Sequence, residues 1–392
     1  MNIDMLVFGE DWGEHPSSTQ HLITQLLPEQ QILWINSLGL RRPRLNSADL
    51  RRAWHKISKM ISQQKQNEAL GRASDQSMNP LSNQLQILNP RAISWPGNPL
   101  ARSLSSQLLK RQILPLLNAS ANQSQKAKSP LLWTSLPSAV DVVGKLNERA
   151  CVYYCCDDFS ALDGVDHGPV SRMEQELAQK SQLIITASSK LAAKFPDHKT
   201  WLLPHGVDTS LFSSPAPRAD DLPSDGPVAG FYGSLAGWFD QRLFTLLAKL
   251  LPHWTFVLIG PAKTDISALL EQPNIRWLGS KPHHELPRYS QHWDVSLLPF
   301  LQNPQIKACN PLKLREYLAA GSPIVSTDFP ALDGYRDLVK VSHSAAGFAE
   351  ELEAIYRNRQ NLKAIRTIRQ QRVEKESWQQ RGKELKSLLD EL

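Results

Sequence analysis

Short apolar runs of strand length alternate with longer amphipathic runs along most of this chain, and the alternation stops once and then restarts. Residues 4–9 read as a strand, 19–27 as a helix and 31–37 as the next strand, a βαβ opening. The pattern continues through expected strands at 86–95, 131–135, 150–154 and 183–187 and expected helices at 99–117, 138–146, 170–180 and 188–195. A run rich in Pro, Ser and Asp, 213–227, interrupts it. Beyond that run come strands at 228–232, 255–259, 275–279, 295–299 and 323–326, with helices at 241–251, 266–271, 286–290, 311–320 and 345–357. The tail after 361 is helical, with Leu385, Leu388, Leu389 and Leu392 marking one apolar face. Parallel strands need a crossover connection, and the crossover is right-handed. Alternation on both sides of a linker therefore predicts an α/β protein of two doubly wound parallel-sheet domains. The N-terminal domain is expected over 1–212, the linker over 213–227, the second domain over 228–376 and a terminal helix over 377–392. With 392 residues, each half is long enough to bury its own core.

Composition narrows the class. Hydrophobic residues at 41% and charged residues at 21% exclude a disordered chain. No run approaches the ~18 apolar residues of a membrane span, and the opening Met1 to Phe8 reads as a first strand rather than a secretory leader. The four cysteines contain no C-x-x-C pair, so no zinc or redox site is expected. They read as small buried hydrophobes in a reducing, cytoplasmic setting. The net charge of +6 is concentrated: Arg41, Arg42, Arg44, Arg51, Arg52, Lys56, Lys59 and Lys65 face Asp49 alone between 41 and 66. Such a stretch is either a solvated helix face or a surface for an anionic partner. Trp54, Ile57, Met60 and Ile61 recur among these charges at helical spacing, which suits a core-facing or an interfacial helix. Residues 62–84 and 118–129 are polar and read as long loops.

The segment most suggestive of chemistry runs Asn310-Pro311-Leu312-Lys313-Leu314-Arg315-Glu316-Tyr317-Leu318-Ala319-Ala320-Gly321-Ser322-Pro323-Ile324-Val325. Asn310 fits an N-cap, Pro311 the first helical position and Gly321 the terminator. The N-terminal end of such a helix favours an anion, and Lys313 in its first turn adds a full charge. Glu316, three residues on, shares that face and can accept hydrogen bonds from a ribose diol. The same residues also describe a capped surface helix with an i,i+3 ion pair, and the local pattern leaves both readings open.

With its surroundings, the segment resembles the GT-B glycosyltransferases, specifically the family-4-like bacterial sugar transferases of exopolysaccharide and cell-wall polymer synthesis. The resemblance rests on that block together with Gly230-Phe231-Tyr232-Gly233-Ser234-Leu235-Ala236-Gly237-Trp238-Phe239-Asp240, Phe256-Val257-Leu258-Ile259-Gly260-Pro261, Leu278-Gly279-Ser280-Lys281-Pro282 and Asp294 to Phe300. It is dense from about 204 to 327. It implies two Rossmann-like domains facing across a cleft, with the C-terminal helix crossing back to the first. A nucleotide-sugar donor, UDP- or GDP-linked, is then a substrate of the second domain, and no cofactor is needed. Gly233 and Ser234 would form the turn that approaches the diphosphate, with Trp238 beside it. Lys313 would neutralise the diphosphate, Glu316 would hold the ribose, and Asn310 and Pro311 would belong to the same site. The base would meet the loop of Ser280, Lys281 and Pro282. Many relatives carry a Glu eight residues before Glu316; here that position is Ala308, so donor recognition is expected to differ.

On the acceptor side the resemblance points to His15, Ser17, Ser18 and Gln20 in the first loop and to His205 at the interdomain crossing, where relatives often carry Asn. Tyr153-Tyr154-Cys155-Cys156-Asp157-Asp158 places two carboxylates just past a strand's carboxyl end, where sites in open α/β sheets collect. Asp157 or Asp158 is either a turn residue capping the next helix or the base that deprotonates an acceptor hydroxyl. A lipid-linked or glycan acceptor is expected, met at the inner leaflet through the basic segment by a peripheral cytoplasmic protein. A nicotinamide dehydrogenase is disfavoured, because 230–235 is not G-x-G-x-x-G and no acidic residue follows the second strand. Nucleic-acid binding has charge but no recognition motif. A catalytically degenerate relative that only binds nucleotide or polysaccharide is the remaining alternative.

Overall fold

The computed structural model describes residues 3–13, 16–40, 83–121 and 128–392. The basic stretch from 41 to 65 and His15 lie outside them.

Two parallel sheets organise the chain. In the first, β1 (Met5–Phe8), β2 (Ile32–Ile35), β3 (Leu85–Leu88), β4 (Leu131–Thr134), β5 (Ala150–Cys155), β6 (Leu183–Thr186) and β7 (Thr200–Leu202) stand in the order β3-β2-β1-β4-β5-β6-β7. In the second, β8 (Val228–Tyr232), β9 (Thr255–Ile259), β10 (Ile275–Trp277), β11 (Val295–Leu298), β12 (Ile324–Ser326) and β13 (Val339–Val341) stand in the order β10-β9-β8-β11-β12-β13. Every strand pair is parallel, with register pairs such as Leu6↔Leu33 and Phe231↔Leu258. The central strands are buried on both faces, which is why they read as continuous apolar runs rather than alternating ones. Strand order reverses between β1 and β4 and again between β8 and β11. Crevices open at the carboxyl ends of strands at such reversals.

Trp34 and Trp133 anchor the core of the first sheet, Trp254 and Phe256 that of the second. The chain passes between the layers near Val207 and returns near Ser377. The two passages run side by side: Val207 N–H donates to the Glu376 carbonyl at 2.9 Å and Trp378 N–H to the Val207 carbonyl at 3.2 Å. The helix Thr209–Ser213 already packs on the helix Leu312–Ala320 of the second layer. The last helix, Trp378–Asp390, packs on the helix Ser18–Leu26 of the first, with Trp378 stacked on His21 at 4.7 Å and 6°.

Three local expectations change. The stretch 138–146 is not an α-helix but a 3₁₀ turn, Pro137–Asp141, and Gly144 at φ +80° ends any continuation. The strand expected over 86–95 ends at Leu88, because Pro90 has no N–H to continue the ladder. The edge strands β7 and β13, with mostly part-exposed side chains, fall outside the expected set.

Candidate functional site

The carboxyl ends of β8 and β9 close on each other at two glycines. Gly233 has φ +138° and Gly260 φ +131°, a region that glycine enters without strain. A Cβ on Gly260 would stand 2.1 Å from the Gly233 carbonyl oxygen, and one on Gly233 would stand 2.0 Å from Lys313 Cε. Gly233 thus leaves the space through which the Lys313 side chain passes. Lys313 lies in the first turn of the helix Leu312–Ala320. Its Nζ lies 5.9 Å from the Phe231 ring and 5.5 Å from the Trp238 ring, a favourable cation–π setting. Among the described residues it has no ion-pair partner. Burial pushes its pKa below the usual lysine value, against the raising influence of Glu316.

Glu316 follows one turn later, and its Oε1 accepts from His283 Nε2 at 2.8 Å. Burial would raise this carboxyl, but the hydrogen bond and charge of His283, with the charge of Lys313, outweigh it and hold Glu316 below the ordinary range. Burial works against a charged His283 ring, yet Glu316 outweighs it and raises the imidazole. These groups, with Ser234, Ser280 and Lys263, line a cavity of about 390 Å³ on which the N-terminal end of the helix opens. A cation with no counter-ion among the described residues, a helix N-terminus and a glycine-lined floor make a site for a diphosphate. An ionised carboxylate one turn away can accept from a diol.

A second cavity of about 180 Å³ adjoins the first and shares Trp238 and Lys313 with it. Its far wall comes from the first layer: Asp157, just past β5, and His205. Asp157 makes no hydrogen bond through its carboxylate among the described residues. Burial, then the charges of Glu10 and Asp158, raise it to about 6, a value suited to a base near neutral pH. Burial, then the charges of Arg315 and Arg381, drive His205 down to about 3. Its neutral ring places Nδ1 3.1 Å from Tyr154 Oη.

The other sequence candidates are placed differently. Asp158 is a turn residue: its Oδ1 accepts from Ser160 N–H, Ser160 Oγ and Lys194 Nζ at 3.2, 2.6 and 2.9 Å. Burial would raise it, but Ser160 and Lys194 outweigh that and lower it. Asn310 does not cap the helix. Pro311 occupies the cap position without a side-chain bond, while Asn310 Nδ2 donates to the Ala187 carbonyl of the first layer at 2.6 Å and its Oδ1 accepts from Arg315. With both ends of its amide engaged, Asn310 ties the two layers together. Lys281 lines the mouth of the larger cavity but pairs with Asp221 at 2.6 Å. Ser17 caps the helix Ser18–Leu26 and donates to Glu10 Oε2 at 2.9 Å; Gln20 Nε2 braces the Asp11 carbonyl at 3.3 Å; Ser18 is buried in the first turn. These three shape the first loop rather than face the cavities. Ala308 turns away too: it packs into the core of the first layer, and its carbonyl accepts from Ser188 Oγ at 2.7 Å.

Sequence reading passes over Glu10, His283 and Gln305. Glu10 directly precedes the loop singled out for its polarity, and His283 directly follows Pro282, so proximity was the available clue. Gln305 carried none.

Comparison with known proteins bears on the fold and the type of domain. Residues 226–358 match the family model of glycosyl transferases group 1. A Bacillus subtilis protein, TuaH, assigned as a teichuronic acid biosynthesis glycosyltransferase, is 29% identical over 243 residues; the match spans 57% of this chain and 61% of that protein. The Anabaena protein Alr3699/HepE, solved in complex with UDP-glucose, aligns over 100% of both chains at a TM-score of 0.66 and 15% identity. Sucrose-phosphate synthase of Thermosynechococcus elongatus aligns over 100% of this chain and 99% of its own at 0.66 and 14% identity. At such identities the likeness is one of fold, and the fold is GT-B: two Rossmann-like layers facing across a cleft.

Proposed function

We propose that the protein is a glycosyltransferase that moves a sugar from a nucleoside diphosphate donor, UDP- or GDP-linked, to a lipid-linked or polysaccharide acceptor of bacterial surface polysaccharide synthesis. The observation that carries this reading is Lys313, held over Gly233 without a counter-ion among the described residues, one turn from Glu316 and lining a small cavity with Asp157. The group 1 domain match and the teichuronic acid relative support the reaction class and pathway type. The UDP and UDP-glucose complexes of HepE favour uridine as the base.

In this mechanism the donor diphosphate lies against Lys313 and the Gly233–Ser234 backbone, with its ribose on Glu316. The Asp157 carboxylate takes the proton of the acceptor hydroxyl as the acceptor oxygen bonds to the anomeric carbon. The bond from that carbon to the β-phosphate oxygen breaks, and nucleoside diphosphate leaves with the electron pair. Lys313 and the helix N-terminus meet the charge that develops on it. No cofactor enters this reading. Calorimetric titration with UDP, GDP, ADP and CDP tests it: one diphosphate should bind the wild type and bind Glu316→Ala at least about tenfold more weakly, a loss of ~1.4 kcal/mol. No binding by any of the four would overturn it. Ala308 favours the alternative of a degenerate, binding-only relative, and turnover of a bound nucleotide sugar decides between the two.

We also place the acceptor at an anionic membrane surface. The charge of the 41–65 segment supports this, as does the helix Pro99–Ala121, which carries Lys110 and Arg111, no acidic residue, and Leu100 and Leu104 exposed one turn apart, its Arg102 being paired with Asp141 and Glu176. Among the described residues no helix is long and apolar enough to cross a membrane. Sedimentation with anionic liposomes should retain the protein at low salt and release it at high salt. Equal sedimentation with neutral liposomes would remove this part of the reading.

A further inference from the structure

The smaller cavity contains one carboxamide that neither the proposed chemistry nor a hydrogen bond among the described residues engages, while its other carboxamide, Asn310, is bonded at both ends. Gln305 sits in the short helix Pro304–Ala308, fixed by Asn303, whose side chain accepts from Ile306 N–H at 2.8 Å. Gln305 is half-buried and lines the cavity. Its amide makes no hydrogen bond among the described residues. Ala308, on the same helix, faces the core of the first layer, so Gln305 is the polar group that this helix presents to the cavity.

The rest of the lining is uncharged except for Asp157 and Lys313. Phe300 is apolar, burial pushes the Cys309 thiol up to about 12, and His205 is neutral. Asp157 is its carboxylate, and Lys313 is the sole cation among the described lining residues. Lys313 is committed to the diphosphate if the donor site is as proposed above. A carboxylate entering this space would meet Asp157 with no cation left to pair with it, and a buried unpaired charge is costly. A hydroxyl both donates and accepts, and a carboxamide does the same.

We infer that the smaller cavity receives the glycosyl unit of an uncharged hexose rather than a hexuronate, and that Gln305 is the residue that recognises its hydroxyls. The inference rests on the donor-site reading of Lys313 and Glu316. It narrows the donor class by the charge of the sugar alone.

The test uses the full-length protein, wild type and Gln305→Ala, titrated with the nucleoside diphosphate that binds, with its hexose derivatives and with its hexuronate derivative. The wild type should bind at least one hexose derivative about tenfold or more tighter than the hexuronate. Gln305→Ala should lose most of that margin while its affinity for the bare diphosphate stays within about twofold. Because Gln305 makes no hydrogen bond within the described protein, the variant should melt with the wild type. A hexuronate bound as tightly as every hexose, or a margin unchanged in Gln305→Ala, would overturn the inference and leave the donor site standing. Failure of every diphosphate to bind would overturn both.

Discussion

Two consecutive carboxylates leave β5 and meet different neighbours. Asp158 is saturated by Ser160 and Lys194, while Asp157 is half-buried, unpartnered among the described residues, and raised to about 6. The adjacent pair was visible in the sequence, but its division was not, because it depends on Lys194 and Glu10, both remote in the chain. If Asp157 is the base, the pH–rate profile of glycosyl transfer should rise through about pH 6. Asp157→Asn should lower the rate by about 10²–10⁴-fold and remove that limb. Stability should move the other way. The folded value lies above the ordinary 3.8, so this group's contribution is full below about pH 4 and is lost as pH rises through about 6. Asp157→Asn should therefore be more stable than wild type by about 1–2 kcal/mol at pH 8 and no more stable at pH 4, as urea titrations at the two pH values would show. Gly233 has a different sensitivity. Gly233→Ala places a methyl where the Lys313 stem runs and forces φ +138° on an L-residue. It should weaken diphosphate binding by at least about tenfold, an effect calorimetry would read directly.

The helix Leu312–Ala320 was legible because its cues are local. Gly321 does end it in the left-handed region, at φ +74°, and Arg369 Nη1 donates to the Gly321 carbonyl at 3.2 Å. Its charged face at Lys313 and Glu316 follows from spacing alone. Asn310 has the composition of a cap, but its amide finds Ala187 in the other layer, a partner that no local pattern names. All strands but the edge pieces β7 and β13 were likewise readable from apolar runs. The ends of 86–95 and the 3₁₀ turn at Pro137–Asp141 were not, since single prolines and glycines decide them. The terminal helix offers a test at this scale. Trp378 is buried, stacks on His21 and covers Gly206, where a Cβ would stand 2.8 Å from its ring. Trp378→Ala should cost about 3–5 kcal/mol of unfolding free energy in urea titration. A cost below about 1 kcal/mol would mean that the helix merely rests on the first layer.

The two layers are joined by a small set of directed bonds: Asn310 to the Ala187 carbonyl, Ser188 Oγ to the Ala308 carbonyl, and the paired passages at Val207 and Ser377. The chain's overall plan followed from its repeated alternation. Which loops face each other across the cleft did not, because that depends on contacts between residues more than a hundred positions apart. Asn310→Ala should separate diphosphate binding from turnover: diphosphate affinity should stay within about threefold while kcat falls more than about tenfold, because Asn310 lines the smaller cavity rather than the diphosphate site and its lost bond to Ala187 helps hold Asp157 against Lys313. Parallel calorimetry and turnover measurements check this; equal losses in both would assign Asn310 to the donor site itself. The paired passages also have a bearing on descent and engineering. Since the chain leaves the first layer at Val207 and re-enters it beside the same residue, everything from 208 to 376 is a cassette spliced into its host at a single seam. Both ends of that cassette meet where backbone already bonds to backbone, so an exchanged donor half needs its covalent joints at one place and its Asn310 and Ala308 contacts to the host kept, while the acceptor half keeps its own closing helix.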